Sequence, residues 1–207
     1  PDPGIGRHVM TLDEAFRRRL FALDTPIADL PIGGYRPEGG GRPRPAAVLV
    51  PVTAESDPRI LLTVRAAHLA KHAGQVAFPG GGRDRPGETV VQTALREAHE
   101  ETGLAPDRVR PAGLLGRYDT ITGFRMTAVV GWVDPDFEPE PDRNEVEAVF
   151  SVSLSHILDP AAWRRDRVRW QERNFEILTL DHPEHRIWGA TAALLKDLGE
   201  RLSLIHI

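Results

Sequence analysis

Three glutamates near the middle of the chain, Glu97, Glu100 and Glu101, are spaced so that they can act together. At about 100° per residue, an α-helix places all three within an arc of roughly 100° on consecutive turns. Carboxylates this close repel one another, and burial strengthens the repulsion. A hard divalent cation, Mg²⁺ or Mn²⁺, removes the repulsion and can bridge carboxylates to phosphate groups while polarising a water molecule. The spacing therefore predicts a metal site for chemistry on a phosphate compound.

The alternative is an acidic helix face exposed to water, with Arg96 pairing to Glu100 one turn away. Two features argue against it. Glu101 falls at the edge of an apolar stripe, where a helix of a soluble protein normally places an apolar side chain. A glycine-rich run, Pro79-Gly80-Gly81-Gly82, also stands shortly before the helix, and glycine lets the backbone approach an anion or a metal closely. The combination favours a diphosphate site.

This segment resembles the Nudix box, and the matching positions are Gly82, Glu88, Arg96-Glu97-Ala98, Glu100-Glu101 and Gly103-Leu104. The resemblance implies a metal-dependent hydrolase of nucleoside diphosphate compounds. It also implies an α/β fold in which a mixed β-sheet is sandwiched between helices (α/β/α), with the box forming a loop–helix–loop. Metal ligands implied in this way are Glu97, Glu100, Glu101 and the backbone at Gly81, although Gly82 is an alternative for the glycine. Arg96 would orient the glutamates.

A second stretch resembles the sequence that precedes the box in coenzyme A pyrophosphatases of the same superfamily. It comprises Leu61-Leu62-Thr63-Val64-Arg65-Ala66, Leu69, His72, Gly74-Gln75 and Phe78-Pro79-Gly80-Gly81. Coenzyme A carries a diphosphate and a separate 3′-phosphate, so its pocket needs cations beyond the metal. The predicted substrate-binding residues are Arg65, Lys71, His72, Gly80 and Gly81. The alternative is that Arg65 merely ends a strand and that the histidines are solvated.

The general base has two candidate sources. Glu100 or Glu101 of the box is the first choice, because a metal lowers the pKa of nearby water and a weak base then suffices. Glu145, just before a predicted strand, is the second, as a base or a further metal ligand. Alternating charge on a half-exposed strand would also explain Glu145.

The elements that must position these residues follow from periodicity and capping. A helix is predicted over 88–102 and ended by Gly103, and another over 11–23 with Thr11 and Glu14 as a capping box. Strands are predicted over 46–52, 60–64, 75–78, 112–118, 125–133 and 145–152, a hairpin over 169–180 and an amphipathic helix over 187–202. Residues 1–44 are predicted to form an N-terminal helix and a Gly/Pro-rich arm, and residues 45–207 the Nudix hydrolase domain.

Composition sets limits on the function. The chain of 207 residues has no cysteine, which excludes disulfides and thiolate metal sites, and its net charge of −4 argues against long nucleic acid as a partner. With no apolar run long enough for a membrane span, we expect a cytoplasmic monomer or homodimer acting on a small nucleotide. ADP-ribose, NADH and dinucleoside polyphosphates are alternative substrates. A non-catalytic Nudix-fold ligand-binding module is the alternative from another class.

Overall fold

The computed structural model describes residues 11–34, 41–70, 72–170 and 173–203. Its α-helices are α1 (Leu12–Arg19), α2 (Val90–Thr102), α3 (Leu154–Leu158) and α4 (Gly189–Ser203). Its strands are β1 (Ile32–Gly34), β2 (Arg44–Thr53), β3 (Arg59–Arg65), β4 (Val76–Ala77), β5 (Gly80–Gly82), β6 (Val109–Asp119), β7 (Phe124–Val133), β8 (Val146–Ser153), β9 (Trp163–Trp170), β10 (Arg173–Leu180) and β11 (Ile187–Trp188). None of the helices in these residues combines the length and apolar composition needed to cross a membrane.

The main sheet is mixed. Its strands run in the order β1-β6-β7-β2-β3-β4, while β5 pairs with β2 and β8 pairs with β3. The pairs β1–β6 and β2–β7 are parallel, and the other pairs of this sheet are antiparallel. A second, antiparallel sheet has the order β11-β10-β9. The short pairing of β5 with the amino-terminal half of β2 places the glycine-rich run inside the sheet, directly under α2.

Strand β2 shows how the layers are built. Its residues alternate between two hydrophobic clusters, because successive side chains of a strand point to opposite faces. Val48 and Val50 pack with α4 on one face, and Ala47 and Leu49 pack with α2 on the other. A strand that is buried on both faces reads as a continuous apolar run, which is how 46–52 appears in the sequence. The sheet is thus sandwiched between helices, which confirms the predicted α/β/α architecture.

Helix α2 begins two residues later than predicted. Thr89 is its N-cap, and a capping box joins Thr89 and Gln92, whose side chain accepts from the Thr89 N–H at 2.9 Å. Glu88 therefore precedes the helix. The predicted end is confirmed, since Gly103 adopts a left-handed φ of 74°. Helix α4 also starts late, at Gly189, because the two residues before it pair with β10.

The amino-terminal residues contact the main sheet. The capping box predicted for Thr11 and Glu14 is present at the start of α1. Phe16 of α1 is fully buried, and its ring centroid lies 4.7 Å from that of Trp132 on β7. Phe21 then exchanges backbone hydrogen bonds with Leu114 of β6. The division of the chain near residue 44 stays a prediction.

Candidate active site

Helix α2 is seated on β2 and β5 through its small apolar face. Val90, Ala94 and Ala98 are buried against the sheet. Ala98, which stands where a larger aliphatic residue is usual, is completely buried. Because alanine is small, the helix approaches β5 closely, and the glutamates on the adjoining arc are carried down to the strand.

The strand under the glutamates is made of three glycines. A Cβ on Gly81 would lie only 2.3 Å from Oε2 of Glu97, so any side chain at this position would occupy the space of that carboxylate. A Cβ on Gly82 would instead meet Asp84 at 2.6 Å. Of the two glycines left open by the sequence, Gly81 is therefore the one that faces the carboxylates of α2.

Glu101 is the most buried carboxylate of the site, with 4% of its side chain exposed. The backbone N–H of Gly80 donates to its Oε2 at 3.1 Å, and Nη1 of Arg65 lies 3.7 Å from its Oε1. Burial raises the pKa of Glu101 to about 8, because these two partners only partly offset desolvation and the charges of Glu145 and Glu97 raise it further. In the absence of a cation, this carboxyl group holds a proton close to neutral pH.

Glu97 is the second carboxylate that faces β5. Burial raises its pKa above the ordinary value, Arg96 opposes the change, and the charges of Glu100 and Glu145 add to it. Two neighbouring acids with raised pKa values are a high-energy arrangement when both are ionised. A divalent cation would relieve that energy.

Arg96 organises the acidic residues around it. Its Nε and Nη2 donate to Glu88 at 2.8 and 3.2 Å, and its Nη1 donates to Glu97 at 2.7 Å and to Glu100 at 2.9 Å. Nη2 also approaches the backbone oxygen of Gly82 at 3.4 Å. These partners, Glu88 first, raise the pKa of Arg96, so it stays fully protonated. The predicted orienting partner thus contacts two of the three box glutamates on α2.

Glu88 is a residue whose role the sequence left open. On a helical wheel it falls on the far side of the helix from Glu97, but it actually precedes the N-cap and turns back toward Arg96. The hydrogen bond from Arg96, assisted by one from the Thr93 hydroxyl at 3.0 Å, lowers the pKa of Glu88 below its ordinary value. The capping box at Thr89 was the signal that could have excluded Glu88 from the wheel.

Glu100 and Glu145 border the site on the solvent side. Glu100 has 48% of its side chain exposed and accepts a hydrogen bond from Nη2 of Arg85 at 3.0 Å as well as from Arg96. Glu145 is exposed, yet its charge raises the pKa of both Glu97 and Glu101, so its carboxylate is within electrostatic range of the pair. The structure therefore brings Glu145 toward the box, although it is more than forty residues away along the chain.

The predicted substrate-binding loop joins this group at Arg65. His72 follows in the loop with φ of 59°, a left-handed conformation that is uncommon outside glycine, and its Nδ1 lies 2.7 Å from Oε1 of Gln75. The same loop is tied to the start of β8, because the backbone N–H of Ala66 donates to the oxygen of Glu145 at 2.9 Å. Lys71 lies outside the described residues.

The donor set fits a divalent cation. Within residues 11–34, 41–70, 72–170 and 173–203, no three His, Asp or Glu side chains already form a metal cage. One reason is that Arg96 donates hydrogen bonds to oxygens of Glu97 and Glu100. The fit rests instead on Glu97 and Glu101, two carboxylates whose pKa values are both raised by burial beside a strand without side chains. Hard oxygen donors of this kind suit Mg²⁺ or Mn²⁺.

Known proteins resemble this chain over most of its length. The NUDIX domain family model matches residues 43–171. An uncharacterized Nudix hydrolase, NudL, of Enterobacter sp. (strain 638) is 37% identical over 161 residues, which cover 78% of this chain and 84% of the relative. Its counterpart in Cronobacter sakazakii is 39% identical over 155 residues, covering 75% and 81%.

Solved structures share the fold at lower identity. A Nudix hydrolase from M. smegmatis, RenU, is 24% identical with a TM-score of 0.52, and the match covers 81% of this chain and 90% of RenU. The NUDIX domain of Shewanella oneidensis NrtR, solved in complex with ADP ribose, is 17% identical with a TM-score of 0.52, covering 81% and 94%. These two likenesses concern the fold.

Proposed function

Because this chain belongs to the Nudix hydrolase family, we propose that it hydrolyses the diphosphate bond of coenzyme A or an acyl-coenzyme A. The products would be 3′,5′-ADP and 4′-phosphopantetheine or its acyl derivative. Nudix hydrolases generally use divalent metal ions, and we propose Mg²⁺ or Mn²⁺ here. Glu97 and Glu101 would hold the ion, with Glu100 and the backbone at Gly81 completing the set.

The reaction is a displacement at phosphorus by water. The water oxygen forms a new P–O bond, the anhydride P–O bond breaks, and each product keeps one phosphate of the former diphosphate, so that 3′,5′-ADP carries this phosphate and the 3′-phosphate. When bound, the cation would neutralise charge on the diphosphate and make the attacking water easier to deprotonate. The proton passes to a carboxylate, and we propose Glu100 or Glu101 for this role, with Glu145 in support.

The residues around the carboxylates position the reactants. Arg96 fixes the side chains of Glu97 and Glu100 from a single guanidinium, so both keep one orientation when the substrate arrives. The glycines of β5 bring the main chain close to the diphosphate. Arg65 and His72 supply donors for the phosphates of the substrate, and Lys71 is proposed with them on sequence grounds.

The observation that carries the choice of substrate is the meeting of Arg65 with Glu101. The stretch that resembles coenzyme A pyrophosphatases begins on β3 and ends on β5, and its arginine lies against the deepest carboxylate of the box. The guanidinium of Arg65 can contact a phosphate that a metal ion holds beside these carboxylates. This juxtaposition supports a substrate with phosphate groups beyond those that the metal neutralises.

A substrate panel tests the proposal. Purified protein is incubated with Mg²⁺ or Mn²⁺ and with coenzyme A, 3′-dephospho-coenzyme A, ADP-ribose, NADH or diadenosine polyphosphates, and products are identified by mass spectrometry. We expect the highest kcat/KM for coenzyme A or an acyl derivative. A higher kcat/KM for ADP-ribose or NADH would contradict the proposed substrate but would still show that the protein is a hydrolase. Binding without turnover of any member would indicate a ligand-binding module.

A further inference from the structure

Arg65 has a buried hydrogen-bond donor that lacks an acceptor within the described part of the chain. Only 28% of its side chain is exposed, and its Nε is buried without a hydrogen-bond partner among the described residues. The 3.7 Å between its Nη1 and Oε1 of Glu101 is too long for a direct hydrogen bond. A buried N–H without an acceptor is destabilising, so this guanidinium is ready to bind an oxygen ligand.

The backbone of Arg65 is fixed. Its N–H donates to the oxygen of Gln75, and its own oxygen accepts from the N–H of Gly74, both at 3.0 Å. The pairing of β3 with β8 also shifts register between Val64 and Arg65, and a bulge of this kind redirects a side chain. The guanidinium can therefore change partners only by rotating its own side chain.

A metal ion and the Arg65 guanidinium repel each other when both lie beside Glu101. A divalent ion bound to this carboxylate would stand within a few ångströms of the guanidinium, and like charges at that distance repel strongly inside a protein. A phosphate oxygen of a bound substrate would remove the repulsion, because it offers the guanidinium the acceptor that Nε lacks. The planar fork of an arginine matches phosphate oxygens well.

We propose that Arg65 couples metal binding to substrate binding. Without substrate it competes with the metal for Glu101, and with both bound it contacts a substrate phosphate. The inference rests on the proposed function, since it assumes a metal at the α2 carboxylates and a phosphate-bearing substrate. Linkage requires that the effect be mutual: metal and substrate each tighten the binding of the other by the same factor.

The test measures Mn²⁺ affinity by calorimetry, with the metal alone and with α,β-methylene-ADP, a nucleoside diphosphate that cannot be hydrolysed at that bond. In the wild type we expect the probe to tighten Mn²⁺ binding by about 5-fold or more, within the usual range of coupling. In Arg65→Met, Mn²⁺ alone should bind several-fold tighter, and the coupling should be smaller than in the wild type, because only the direct attraction between the metal and the diphosphate remains. Arg59→Met, at the other end of β3, is the matched control and should behave like the wild type.

Equal Mn²⁺ affinity and equal coupling in the wild type and Arg65→Met would overturn the inference. If that variant does not fold, Arg65→Lys keeps the charge and lacks Nε. It should bind Mn²⁺ alone like the wild type but bind the probe more weakly when Mn²⁺ is present, and wild-type affinity for the probe would overturn the inference. The preference for coenzyme A is judged separately by the substrate panel, so absent coupling leaves that proposal intact. A wild type that binds no Mn²⁺ would overturn both.

Discussion

Replacing Glu101 by glutamine should stabilise the metal-free protein at neutral pH while removing its activity. Glu101 is almost fully buried, and its pKa is raised from 4.5 to about 8. Between these two values the folded chain holds a proton that the unfolded chain releases. The stability contributed by the protonated group is fully present below pH 4.5 and is lost as the pH rises through about 8. Glutamine cannot ionise, and its oxygen can still accept from the N–H of Gly80.

The size of the effect follows from the shift. One pKa unit corresponds to about 1.4 kcal/mol, and titration between pH 5.5 and 7.5 lowers the free energy of unfolding of the wild type by about 2–3 kcal/mol. Glu101→Gln should lack this component, so its advantage over the wild type should grow by about the same 2–3 kcal/mol across that interval.

Urea denaturation in the presence of a chelator measures this difference at pH 5.5, 6.5 and 7.5. Glu200→Gln, which changes an exposed glutamate of α4, is the control and should run parallel to the wild type. Adding Mg²⁺ at pH 7.5 should stabilise the wild type and have little effect on Glu101→Gln, because the cation favours the ionised carboxylate. If Glu101→Gln and the wild type show the same dependence on pH, the carboxyl group is not destabilised by burial and the reasoning fails.

Three further predictions concern the reaction. Arg96→Lys should keep the positive charge but lower kcat and weaken metal binding, because an ammonium cannot hold Glu88, Glu97 and Glu100 together; unchanged Mn²⁺ affinity by calorimetry would contradict this. Glu100→Gln should lose most of the activity and Glu145→Gln less, whereas a loss of ~10²–10⁴-fold in kcat for Glu145→Gln at unchanged metal affinity would make Glu145 the base. His72→Ala should raise KM more for coenzyme A than for 3′-dephospho-coenzyme A, and equal increases would show that His72 does not contact the 3′-phosphate.

Local signals in the sequence predicted the central helix well. The apolar stripe, the spacing of the glutamates and Gly103 all lie within one segment, and each depends on neighbours only a turn or two away. The structure places Gly81 against the carboxylate of Glu97, while its role as a metal ligand stays a prediction. These features could be read because a helix imposes a fixed geometry on residues near one another in the chain.

Features that depend on packing between distant segments could not be predicted from the sequence. Glu88 is a different case, because the local capping box of Thr89 and Gln92 starts the helix at Val90 and leaves Glu88 outside it. The distance between Arg65 and Glu101 is set by the packing of α2 on β2 and β5, and β2 is far from α2 in the sequence. The predicted hairpin is longer than expected, since β9 begins at Trp163. Its arginines alternate with few apolar residues, so periodicity was weak there.

The burial of Phe16 also bears on how the chain can be shortened. The family profile begins at residue 43, which invites a truncated protein that starts there. Such a protein would leave Trp132 without its aromatic neighbour and the edge of β6 without the backbone partner that Phe21 provides. Exposing one large apolar side chain of this kind costs roughly 1.5–3 kcal/mol, a substantial share of the net stability of a typical domain. The stretch that matches the family model is therefore a poor guide to the shortest chain that folds. Fragments for expression should retain the residues from Thr11 onward.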